Sequence, residues 1–179
     1  MTRMKSDPLL AIAQVILALC IVLLIFVSAM VLIGLGALLT VRRAEIIAEI
    51  AAAGAPDSAY WAIAVVLVLL IGLFLAVLRF LLELSGIVKS VDRGDPFEPE
   101  NADRLSRMGW IAVAGYALAT VIGSTAAWIK SVAGEAGKYI DVDDVGLDGG
   151  GVLLILVLFI LARVFRHGSA MREELEGTV

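Results

Sequence analysis

Few residues in this 179-residue chain carry the types and spacing that chemistry needs. The densest acidic run is Asp141-Val142-Asp143-Asp144-Val145-Gly146-Leu147-Asp148, which invites a calcium loop. It lacks the register of one: counted as an EF-hand, its fifth position is Val145 and its twelfth Val152, where oxygen ligands are required. We read it as a solvated loop. His167 is the sole histidine and has no Cys or His companion at metal or nucleophile-pair spacing, and Cys20 is the sole cysteine, so a disulfide within the chain is excluded. Cys20 lies in an apolar run and is expected to be buried as a small hydrophobe. Gly149-Gly150-Gly151 precedes an apolar block and reads as a flexible helix entry, not an anion cradle. Neither a phosphate-binding glycine loop, a nucleophile elbow nor a zinc-protease helix occurs. The expectation is therefore no catalytic residue, no cofactor and no metal.

The elements that would have to position any site are dominated by hydrocarbon. Mean hydropathy is +1.00 and 61% of residues are hydrophobic, against about 45–50% in soluble domains. Blocks without Asp, Glu, Lys or Arg run Pro8 to Val41, Ser58 to Leu78, Met108 to Ile129 and Gly149 to Ala162. A bilayer crossing needs about 20 such residues. The first block is too long for a signal-peptide core of about 7–15 residues. The last reaches full length if Arg163 and Arg166 extend to the headgroups while their stems stay in lipid. The fold class expected is all-α: an integral membrane protein with four transmembrane helices, over about 10–36, 59–79, 108–129 and 149–168, within a single membrane domain 1–179. A helical hairpin, 80–107, joins the second and third helices, and 169–179 forms a tail.

Several finer expectations follow. The long first block either tilts or continues as helix through Arg42 to Ile50, with Ile46, Ile47 and Ile50 on the membrane face, until Gly54-Ala55-Pro56-Asp57 ends it. Gly34 and Gly36 mark either a kink or a close packing point. Trp110 and Trp128, about 27 Å apart along a helix, bracket the third span, and Tyr60 and Trp61 mark one end of the second. Gly115, Ala119, Gly123 and Ala127, four apart, make a ridge of small side chains for helix packing, within the chain or in a homo-oligomer. Ser124 and Thr125 bond either across helices or to their own helix. Gln14 serves a structural hydrogen bond.

Orientation comes from the cationic flanks. Arg3 and Lys5, then Arg79, Lys89, Arg93, Arg104 and Arg107, then Arg163, Arg166 and Arg172 fall on one side. Arg42, Arg43, Lys130 and Lys138 fall on the other. The richer side is cytoplasmic by the positive-inside rule, which places both termini and the hairpin there. In the hairpin, Gly94-Asp95-Pro96-Phe97 is the turn, with Asp95 as a cap and Pro96 at a first helical position. Phe97 and Leu105 close against it. The tail reads as a short helical extension that frays; the alternative is packing against the hairpin, with Arg172 meeting acids there and Glu173, Glu174 or Glu176 meeting Arg104 and Arg107. The hairpin reads either as a structural hinge or as a docking surface for a cytoplasmic protein, the candidate docking residues being Asp95, Phe97, Asn101, Arg104, Arg107 and Arg172.

Gly94-Asp95-Pro96-Phe97, Glu100-Asn101, Arg104-Leu105 and Gly109-Trp110, with Phe165-Arg166, Gly168 and the ending Arg172-Glu173-Glu174-Leu175-Glu176-Gly177-Thr178-Val179, resemble the bacterial membrane family catalogued as domain of unknown function 2975. His167 departs from the pattern. The resemblance implies a four-helix inner-membrane protein of unassigned activity, whose relatives are often encoded beside a small helix-turn-helix repressor. The expected partners are thus the lipid bilayer and a cytoplasmic protein, with no direct nucleic-acid binding. The expected function is a non-enzymatic regulatory or signalling membrane component; the alternative is a small channel or transporter subunit acting as a homo-oligomer.

Overall fold

A computed structural model describes residues 8–133 and 149–176. They form five helices: α1 (Pro8–Leu39), α2 (Arg43–Ala52), α3 (Ser58–Asp92), α4 (Pro99–Val132) and α5 (Gly149–Glu176). Four of these, α1, α3, α4 and α5, are long and apolar enough to cross a membrane. At 32 residues α1 is roughly 48 Å long, well beyond a hydrocarbon core of about 30 Å. The acidic run Asp141 to Asp148, the N-terminal cations and the last three residues lie outside the described residues.

The breaks between helices have identifiable causes. α2 and α3 end in the same way: Gly54 and Gly94 take positive φ (73° and 84°). In the first, the Gly54 N–H donates to Ala51 O and the Ala55 N–H to Ile50 O; in the second, Gly94 donates to Val91 O and Asp95 to Ser90 O. Each is a pair of 5→2 and 6→1 bonds that returns orphan carbonyls to the ladder, and each needs a residue free of the Cβ penalty in the left-handed region. A proline follows two residues later, at Pro56 and Pro96, and prevents the helix from resuming at once. Contrary to the sequence expectation, the first position of α4 belongs to Pro99 and not to Pro96. Its missing N–H costs nothing there.

The contacts divide the chain into two compact units. One gathers Ile25–Ala76 with the part of α4 from Ala114 onward. Its core is Leu38, Tyr60 and Ala64, packed by Leu35, Ile46, Ile47, Ile50, Ile63 and Leu67. Three expectations are corrected here. α1 stops at Leu39 and a turn separates it from α2, so the block does not continue as one helix. The α2 isoleucines close onto the α1 end and α3 start, because that seam buries more of their surface than one flat face would. Tyr60 is buried, and its hydroxyl donates to Leu38 O at 2.9 Å, satisfying one of the last carbonyls of α1. Trp61 alone of that pair stays exposed, edge-on to Tyr60, with the Arg43 guanidinium about 6 Å from both rings.

Gly34 and Gly36 lie inside the continuous α1 and face open space, so neither is a packing point. In the small-residue ridge, Gly115 meets Leu73 and, beside it, Leu118 meets Gly72, so this stretch is a contact within the chain. Gly123 is buried and Ala119 half-buried, but Ala127 is exposed and does not extend the ridge. Ser124 and Thr125 bond to carbonyls of their own helix. Cys20, expected inside, is exposed; on a helix apolar all round, hydrocarbon is as acceptable a neighbour as protein. The three glycines at 149–151 are not a loop but the first turn of α5.

The other unit gathers residues up to Leu24, Val77–Val113 and residues from Gly149 on. Leu105, Met108, Leu158 and Ala162 form its core, with Phe80, Leu84, Ile87, Ala112 and Phe165 around them. It carries the candidate site.

Candidate functional site

The end of α3 and the start of α4 pair antiparallel and are fastened at three levels. At the first, Glu83 is buried, with 7% of its side chain exposed, and meets two arginines. Arg107 forks onto it, Nε to Oε1 at 3.1 Å and Nη2 to Oε2 at 2.9 Å. Arg79, one turn back on α3, reaches Oε1 at 2.9 Å. The Arg107 bonds, outweighing the desolvation that opposes them, hold the Glu83 carboxyl below the usual carboxylate range and raise Arg107 further.

At the second level the Arg104 guanidinium folds over Gly86. A Cβ there would collide with the guanidinium, so Arg104 lies this close to α3 only because position 86 has no side chain. Arg104 also pairs with Glu100 at 3.0 Å. At the third, Asn101 is fully buried. Its amide nitrogen donates to Ser90 Oγ at 2.6 Å and to Pro96 O at 3.1 Å, tying the α3 end, the turn and α4 together. Ser90 in turn donates to Ile87 O. Outside this staple, Arg93 and Glu98 close the turn at 2.9 Å, and Gln14 of α1 reaches Asp92 at 3.5 Å, the outer limit of a hydrogen bond.

α5 fastens onto the same head. Arg172 pairs with Asp95, and Arg166 with Asp103 at 3.2 Å. The Phe97 ring lies 5.4 Å from that of Phe165 and covers Gly168, where a Cβ would come to 3.0 Å of the ring. Gly109 is likewise covered by Phe159, which stacks edge-on with the exposed Trp110.

Arg172 therefore meets an acid of the hairpin as its charge suggests, and that acid is Asp95, which is engaged through its side chain and not as a helix cap. Asn101 is corrected: a side chain with no exposure cannot be offered to a partner, and here it staples the hairpin. Arg104 and Arg107 are drawn to Glu100 and Glu83, the nearest carboxylates along and across the helices. The expectation that Glu173 or Glu176 reaches them falls on side chains outside the described set. Sequence reasoning missed Glu83, Ser90, Gly86 and Asp103. Glu83 left a signal, a lone carboxylate in the apolar run Phe80 to Leu84, four residues after Arg79. Among the described residues no group of three His, Cys, Asp or Glu is placed to hold a metal ion.

Four helices fit for a bilayer and a polar head locked by cross-helix ion pairs define a multi-pass helical membrane protein. The family model described as Protein of unknown function (DUF2975) matches residues 38–179, and the chain belongs to that family. No curated protein and no solved structure matches it.

Proposed function

We propose that the chain is a non-enzymatic bacterial inner-membrane protein whose polar head, on the cytoplasmic side, holds a soluble regulatory protein, a helix-turn-helix regulator being the partner that the family suggests. The excess of Lys and Arg on the flanks that share a side with the head supports this orientation. The observation carrying the reading is the division of labour in the head. Glu83 and Asn101 are sealed inside, whereas Asp103 and Arg166 form a pair with 63% of each side chain exposed. Buried pairs fix a shape, and exposed charges steer and register a partner. Proton-transfer chemistry at Glu83 is disfavoured because its bonds from Arg107 hold the carboxyl below the usual carboxylate range, which makes it a poor base.

The test is a charge swap. Asp103→Arg with Arg166→Asp keeps an internal pair while inverting the surface pattern. Crosslinking in native membranes should join the wild type, and not the swapped protein, to a soluble DNA-binding protein. Identical profiles for the two would sink the reading, as would labelling of a Glu98→Cys variant only from outside the cell.

A further inference from the structure

An open groove of about 680 Å³ lies beside Phe97 on α5, within the range of about 300–1,000 Å³ usual for small-molecule sites. Its walls are Phe97, Ile160, Val164 and Met171, and the polar side chains lining it are Arg163 and His167. Spaced four apart, the Arg163 guanidinium and the His167 imidazole project from one helix face. Among the described residues no acid lines the groove.

Two further observations say what would cover it. First, Leu153, Val157, Ile160 and Val164, all exposed, follow one another at spacings of four and three along α5. They form an apolar stripe that runs into the groove, on a helix whose Gly149–Arg172 segment is fit to cross a bilayer. Second, the other arginines of the described residues have company: carboxylates for 42, 79, 93, 104, 107, 166 and 172, and aromatic rings for Arg43. Among the described residues Arg163 has neither. A cation beside hydrocarbon is costly unless its head reaches water or the headgroup level, where an anionic headgroup gives it a partner.

We propose that this groove binds one anionic phospholipid, an acyl chain lying along Ile160 and Val164 against Phe97, and the phosphate held by Arg163 with His167 beside it. The amphiphile matches both halves of the site: hydrocarbon continues the stripe, and negative charge meets the unpaired guanidinium. Neither a free phosphate, which leaves the stripe uncovered, nor a zwitterionic lipid of the same chains, whose choline cancels the attraction, fits as well.

Native mass spectrometry of the full chain, released from mixed micelles with dioleoyl phosphatidylglycerol, dioleoyl phosphatidylcholine or inorganic phosphate, tests this. One phosphatidylglycerol should be retained in preference to phosphatidylcholine, and phosphate should not bind. Arg163→Gln should weaken that retention about fivefold, the ordinary contribution of one cation at an anionic surface, while Arg163→Lys keeps most of it. Val164→Trp, which fills the groove, should abolish retention, and Arg42→Gln, outside the lining and paired only along its own helix, should leave it unchanged. Equal retention by wild type and Arg163→Gln overturns the proposal. So does equal retention of the two lipids, or a dimer of this chain that Val164→Trp dissociates. Arg163 is exposed and without a partner among the described residues, so the deciding variant does not depend on repacking the core.

Discussion

Removing Arg107 should cost several times more than removing Arg79, although both arginines touch the same carboxylate. Arg107 supplies two of the three bonds to Glu83 and the bond to Oε2. Arg107→Ala leaves a carboxylate that is 7% exposed with Arg79 on Oε1 alone. Breaking a buried pair costs about 3–5 kcal/mol. The Arg107 side chain is 44% exposed and Arg79 remains, which scales the expectation to about 2–3 kcal/mol, one to two charge-assisted bonds. Arg79 is 62% exposed and pairs one turn along its own helix; Arg79→Ala should cost about 0.3–0.5 kcal/mol. The assay is reversible SDS unfolding in bicelles, followed by tryptophan fluorescence and far-UV circular dichroism. The pH dependence supplies a second arm. Because the folded Glu83 carboxyl titrates below its unfolded value, its contribution is complete above the unfolded pKa, about 4.3. It is lost as pH falls through the lower folded value, and Glu83→Gln should remove that part of the acid slope. Equal losses from the two alanine variants, or an unchanged slope in Glu83→Gln, would refute the assignment of Arg107 as the principal partner.

Four shorter expectations use the same unfolding measurement. Gly115→Ala, with only ordinary contact at 3.7 Å from Leu73, should gain about 0.5–1 kcal/mol of helix preference; Gly168→Ala and Gly109→Ala, whose methyls come to 3.0 Å of a phenyl ring, should be less favourable than Gly115→Ala by about 1 kcal/mol or more. Asn101→Asp turns two donors into acceptors opposite Pro96 O and should destabilise more than Asn101→Ser. Gly94→Ala forces a Cβ into a φ of 84° and should cost about 1–2 kcal/mol. Tyr60→Phe leaves Leu38 O buried without its donor, for a loss of about 1–1.5 kcal/mol.

How far the residues announced this structure depends on the range of the interaction. Composition and local breakers were legible. Charge-free blocks specify helices because a backbone in lipid has no other way to satisfy its polar groups, and Gly54 and Gly94 stop their helices because they alone relax there. Facing was less legible. On a helix apolar all round nothing marks the buried side, which is why Cys20 turned out exposed and Tyr60 buried; on α2 the isoleucines do mark a face, but only the neighbouring helix ends decide what covers it.

By itself the sequence determined that this chain has four long apolar helices with a polar hairpin between the second and third, since helix length, hydrophobicity and turn chemistry act over a few neighbouring residues. Only tertiary structure decided what the polar residues do. Glu83 and Arg107 stand 24 positions apart, and Asp95 and Arg172 stand 77 apart. A carboxylate will accept whichever guanidinium the backbone brings within 3 Å, and charge alone does not say which one that is.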